Sequence, residues 1–268
     1  MKYTLLVTSL FCLISQAAVA QSSTEPPELD SDRPNFTQAA TVIPQRTLQL
    51  ETGLGYEKEK SDNEQTRNYL YPTTLIRVGI LKKAELRINF DFEQENQTLT
   101  SKPGATISEA KERGFDNVQI GTKIALVEAK GVIPDIGVLA SLSLPVGLKE
   151  YRPPHAAPSI QMLFNSHFSD KVELQYNFGY RKHKEETDYL VQLLYSASAI
   201  VHLTENLQGF AEFQAFKTHQ QAAENSIAGG FMFKLVPNLQ FDILGGVGVS
   251  EKAPDYYTAA GVTWRVPH

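Results

Sequence analysis

The chain has 268 residues, 42% hydrophobic, 10% aromatic and 21% charged, with 17 Gly and 14 Pro. That composition suits one large domain or two small ones, and it excludes collagen, coiled coil and wholesale disorder. The balance of 25 Lys+Arg against 30 Asp+Glu gives −5, which argues against a nucleic-acid partner. A mean hydropathy of −0.25 is too polar for a helical membrane protein. It still suits a β-barrel, in which only alternate residues meet lipid.

Lys2 opens the chain, residues 5–14 are an apolar run, and Ala18-Val19-Ala20 forms a small-x-small site. This is the layout of a cleaved secretory signal peptide over residues 1–20, too short to span a bilayer. The sole cysteine, Cys12, lies within it. The mature chain would therefore have neither a disulfide framework nor a thiolate metal site. Loss of Lys2 takes the net charge from −5 to −6. An exported chain free of cysteine suits a Gram-negative outer membrane.

Residues 21–46 form a polar lead-in, in which Asp32-Arg33-Pro34 is the most distinctive element. Proline fixes its own φ and favours an extended residue before it, so Arg33 is held out from the chain. Two readings stay open for this segment. It tucks into a lumen as a plug, with Asp32 and Arg33 as the candidate constriction, or it is a periplasmic lead-in held by local contacts.

From Thr47 onward the dominant period is two. Val172-Glu173-Leu174-Gln175-Tyr176-Asn177-Phe178 alternates apolar with polar, and Leu86-Arg87-Ile88-Asn89-Phe90-Asp91-Phe92 does the same with charges. Side chains on a strand point alternately to opposite faces, so this pattern makes a strand and no helical stripe. Twelve segments are predicted: 47–59, 67–81, 84–95, 115–127, 132–146, 157–169, 171–182, 189–203, 207–217, 225–235, 239–250 and 256–266. Most run about 10–15 residues, against the ~5–6 usual in soluble proteins and the ~9–11 needed to cross a bilayer at a tilt.

Tight turns near 81–83, 128–131, 169–171, 204–206 and 236–238 alternate with longer polar connections, including 94–114, 147–156 and 218–224. Outer-membrane barrels have short periplasmic turns and longer external loops. The prediction is an all-β transmembrane antiparallel barrel over residues 47–268, of about twelve strands with both termini periplasmic. Its apolar face would carry Leu48, Leu54, Ile76, Ile80, Ile160, Phe168, Phe231, Phe233 and Trp264 toward outer-membrane lipid. The other face would line a wet lumen with Glu51, Arg77, Glu85, Arg87, Asp91, Glu173, Arg181, Glu212, Asp242 and Arg265, and with Arg67 and Lys123. Charges of both signs predict weak ion selectivity or a salt-bridged, partly closed interior. Inward glycines such as Gly53, Gly137, Gly246 and Gly248 bear on whether a path remains open.

Ser31-Asp32-Arg33-Pro34-Asn35-Phe36-Thr37, then Val42-Ile43-Pro44 and Leu48-Gln49-Leu50-Glu51, resembles the opening of one bacterial family. That is the outer-membrane transporter family named for the meta-pathway of phenol degradation. Further echoes are Leu142-Ser143-Leu144-Pro145-Val146-Gly147 and Ala253-Pro254-Asp255-Tyr256. The resemblance implies a channel-like barrel passing small, aromatic or apolar solutes. No cofactor or energy-coupling motif is visible in the residues, so no catalytic residue, no cofactor and no metal is expected. An outer-membrane barrel is also expected to be handled by the barrel-assembly machinery during biogenesis.

The residues themselves agree with a protein that is not an enzyme. His155, His167, His183, His202, His219 and His268 are scattered without metal-ligand or nucleophile–base spacing. Gly245-Gly246-Val247-Gly248 lies inside a strand with no helix after it, so it is no dinucleotide loop. The leading expectation is passive passage of a small solute through a charge-lined lumen. The alternative is a closed structural or surface-recognition barrel without transport.

Overall fold

The computed structural model describes residues 28–60, 64–100, 106–147, 152–185 and 188–266. The predicted signal peptide lies outside these. Twelve strands follow one another along the chain: β1 (Leu48–Lys60), β2 (Glu64–Leu81), β3 (Ala84–Thr100), β4 (Thr106–Val127), β5 (Asp135–Ser143) and β6 (Ala157–Ser169) come first. They continue as β7 (Val172–Glu185), β8 (Asp188–His202), β9 (Leu207–Thr218), β10 (Glu224–Val236), β11 (Leu239–Gly248) and β12 (Tyr256–Arg265). Each pairs antiparallel with its neighbours in sequence, and β1 pairs with β12 from Gln49↔Arg265 to Lys58↔Tyr256. The sheet is thus a closed barrel with no free edge to template aggregation.

The alternation sorts side chains as expected. Leu54 is 62% exposed and Phe231 53% exposed on the outer face, while Gln49, Glu51, Arg77, Glu85 and Lys123 are buried. A water-soluble sheet would place these two sets the other way round. Outward aromatics also gather toward one end: Tyr56 meets Tyr69 and Tyr256, and Phe92 meets Tyr71 and Phe115. Barrels carry such girdles where lipid gives way to water.

Two expectations are corrected. The predicted loop 94–114 is largely strand, because β3 runs to Thr100 and β4 begins at Thr106, with Gln94 facing Arg113 and Asn96 facing Lys111. This part of the hairpin is polar on both faces, so it carries no alternation to read. Arg67 does not join the lumen. The β1–β2 register slips between Gly53 and Gly55, around the cis Tyr71-Pro72 bond, so Arg67 is paired with outward Lys58 and exposed. An extra residue in one strand inverts the parity of everything beyond it.

Candidate functional site in the barrel lumen

Residues 28–46 run inside the barrel. The segment starts at the end with the short turns, where Arg265 Nη1 donates to the Glu28 carbonyl at 3.1 Å and Lys234 pairs with Glu28. It climbs to Phe36, turns back, and leaves through Pro44, whose carbonyl accepts from Thr47 N at 3.2 Å. Leu29, Asp32, Asn35, Thr37, Ala39, Ala40 and Ile43 are buried. A segment without regular structure must still satisfy its backbone polar groups when buried. Here wall side chains do it. Glu51 Oε2 accepts from Asp32 N at 3.1 Å, and Glu85 Oε2 accepts from Ile43 N at 2.8 Å. Glu212 accepts from Phe36 N at 3.0 Å and Thr37 N at 2.7 Å. Asn177 accepts from Gln38 N at 2.7 Å and donates to the Gln38 carbonyl at 2.9 Å, while Asn165 accepts from Ala40 N at 3.0 Å.

Asp32 sits at the centre of a buried charge cluster. Lys123 Nζ lies 2.8 Å from Asp32 Oδ2, Arg77 Nη1 lies 3.5 Å from the same oxygen, and Arg87 also pairs with it. Arg77 reaches Glu51 at 3.0 Å and Glu85 at 2.8 Å, and Arg87 reaches Glu85 at 2.9 Å. Three carboxylates against three cations leave the cluster neutral, as buried charge requires. Burial alone would raise the Asp32 pKa. The fields of Arg77, Lys123 and Arg87 outweigh it and hold the carboxyl well below the usual carboxylate range.

Arg33 makes a second attachment. Its guanidinium donates to Asp242 Oδ2 at 3.3 Å and Oδ1 at 3.2 Å, and to Thr73 Oγ1 at 2.9 Å. To get there it crosses the paired Gly53 and Gly261 of β1 and β12, and a Cβ on either would collide with it. Gly137 likewise leaves room for the Ala40 backbone. These inward glycines admit the segment rather than leave a path free.

The remaining sites fall on two sides of the segment. Toward the long connections, Asp91 and Arg181 line a cavity of about 420 Å³, together with Asn89, Ser141, Ser159 and Leu194. Toward the short turns, Glu173 lines a cavity of about 210 Å³ with His167 and His202. His167 Nε2 is 2.7 Å from Asp135 Oδ2 and its Nδ1 is 3.6 Å from Glu173, so its ring is already held by two carboxylates. Arg265 lies at the rim, where its Nε donates to Gln49 Oε1 at 3.0 Å. The side chains of His183 and His268 lie outside the described set. Asn177, Ser196 and Ser198 also hold the segment, which nothing in their sequence pattern marks. Their inward parity was legible, but an inward amide or hydroxyl looks the same whether it meets water or a chain.

Among curated proteins no sequence match is found. Solved structures share the fold at low identity. An outer membrane channel from Pseudomonas putida F1 has a TM-score of 0.62 at 9% identity, over 88% of this chain and 100% of that one. The translocator domain of the autotransporter NalP from Neisseria meningitidis has 0.51 at 12% identity, over 88% and 90%. The NanC porin has 0.50 at 8% identity, over 81% and 100%. A family model described as "Putative MetA-pathway of phenol degradation" matches residues 31–266, beginning at the serine that precedes Asp32. The match spans nearly all of the described chain, and the protein belongs to that family.

Proposed function

We propose that the protein is an outer-membrane channel that passes a small solute passively and is closed at rest by residues 28–46. The observation that carries this reading is the lodging of that segment across the lumen, with its backbone hydrogen-bonded by side chains of the wall. In this reading Asp32 and Arg33 form the constriction. Glu51, Arg77, Glu85, Arg87, Glu212 and Asp242 are its wall contacts, Arg265 holds its start at Glu28, and Asp91, Arg181 and Glu173 line the cavities on either side. Both chain ends face the periplasm, since β1 starts and β12 ends on the side of the short turns. The solute moves down its own gradient when the segment shifts. Further support comes from the family and from the likeness to channels and porins of the same fold.

The test is conductance in planar bilayers for the refolded full chain and for Asp32→Ala. The intact protein should open rarely and the variant often. If neither conducts although both show heat-modifiable mobility on gels, the barrel is a closed structural one and the reading is wrong.

A further inference from the structure

Cations inside the barrel are mostly answered by carboxylates. Arg33 has Asp242, Arg77 has Glu51 and Glu85, Arg87 has Glu85 and Asp32, and Lys123 has Asp32. Arg181 differs. It lies on β7 between Ser159 of β6 and Gln192 of β8 and points inward. Its Nε donates to Gln192 Oε1 at 2.8 Å, and its guanidinium carbon stands 5.0 Å from the centre of the Phe216 ring. Among the described residues it makes no ion pair. Glu224 and Asp116 act on it through space. A guanidinium withdrawn from bulk water without a counter-charge is costly, and it offers a fork of parallel N–H donors that fits a carboxylate.

The surroundings suit such a guest. Arg181 borders the 420 Å³ cavity directly above the segment. The hydroxyls of Ser141 and Ser159, 2.6 Å apart, line it on one side. Leu75, Leu139 and Leu194 line it elsewhere and can cover an apolar body. The outer opening carries Glu57, Glu59 and Glu224 against Lys252, so no net positive field draws anions inward and recognition must rest on direct contact.

We propose that Arg181 binds the carboxylate of a small organic acid in this cavity, with the leucines covering its apolar part. The proposal rests on the channel reading and assigns it a solute class. Hexanoate and hexanamide share length and shape and differ in charge, which makes them the probes. Equilibrium dialysis of each, radiolabelled at pH 7.5, against the detergent-solubilised full chain reads binding without reference to flux. Wild type should bind hexanoate about ten-fold more tightly than hexanamide, the scale of one charge-assisted contact. Arg181→Gln should lose that preference, and Arg181→Lys should keep part of it. Unchanged heat-modifiable mobility checks that each variant is folded. Equal binding of the two probes, an unchanged preference in Arg181→Gln, or no hexanoate binding up to about 10 mM would overturn the proposal. Absence of conductance with hexanoate binding intact would overturn only the channel reading.

Discussion

The wall made by β1 to β4 holds the lumen segment with charge: Asp32 is fixed by Lys123, Arg87 and Arg77, and the two arginines in turn by Glu51 and Glu85. The wall made by β6 to β9 holds it mostly with neutral groups, through Asn165, Asn177, Ser196 and Ser198, and among the described residues only Glu212 brings a charge. The two kinds of contact respond to different perturbations. Removing one member of a buried ionic cluster leaves the others uncompensated at a cost of about 3–5 kcal/mol, whereas removing one neutral partner strands a single buried group at about 1–3 kcal/mol. The first wall is therefore the anchor, and the second is where the segment comes away first.

The largest expected effect follows. Asp32→Ala leaves a net positive charge buried among Arg77, Arg87 and Lys123, and should cost about 3–5 kcal/mol. It should appear as a lower temperature for the gel-mobility change and as frequent opening in bilayers. A variant as heat-resistant and as quiet as wild type would show that the cluster anchors nothing.

Acid tests the same wall reversibly. The Asp32 carboxyl is held below its usual range, so its stabilising share is complete above about pH 4, the unperturbed carboxylate value. It is lost only as pH falls further toward the depressed value. Conductance recorded from pH 7 downward should stay low to about pH 4 and rise below it. Opening that sets in well above about pH 4 would show that protonation of Asp32 is not what frees the segment.

Asn165→Ala probes the opposite wall. Asn165 is buried and its Oδ1 accepts from Ala40 N, so truncation strands a buried N–H at a cost of about 1–2 kcal/mol. Exchange of the Ala40 amide with deuterium should speed up while that of Asp32 stays slow. Equal acceleration of the two would mean that the segment moves as one body and that the two walls are not distinct.

How much of this was written legibly in the sequence depends on the kind of signal. Strand faces were readable because lipid on one side and polar groups on the other impose alternation, and β7 with Glu173, Gln175 and Asn177 inward is the plainest case. The signal failed where both faces are wet, in the outer part of β3 and β4, and where the register slips beside Tyr71-Pro72, which turned Arg67 outward. The route of residues 28–46 could not be read as a pattern. Its partners lie far along the chain, Asn165 being 125 residues from Ala40 and Asp242 209 residues from Arg33. What could be read was the chemistry of Asp32 and Arg33, since a barrel with inward charges of both signs can receive either one.

The smallest effect tests the most specific contact. The three atoms nearest a methyl group on Gly261 all belong to the Arg33 guanidinium, whereas one on Gly53 would also press on the Ala260 carbonyl. The far end of an arginine can move, so Gly261→Ala should cost about 1 kcal/mol, spent in loosening Arg33 from Asp242. In an Arg33→Ala background those three contacts are gone and the same change should cost less. The difference between the two costs, taken from thermal gel shifts of the four proteins, isolates the pair because Gly261 and Arg33 touch directly. A Gly261→Ala cost that is the same with and without Arg33 would place the need for glycine in the twist of β12, and would remove the argument that this wall is shaped around the segment.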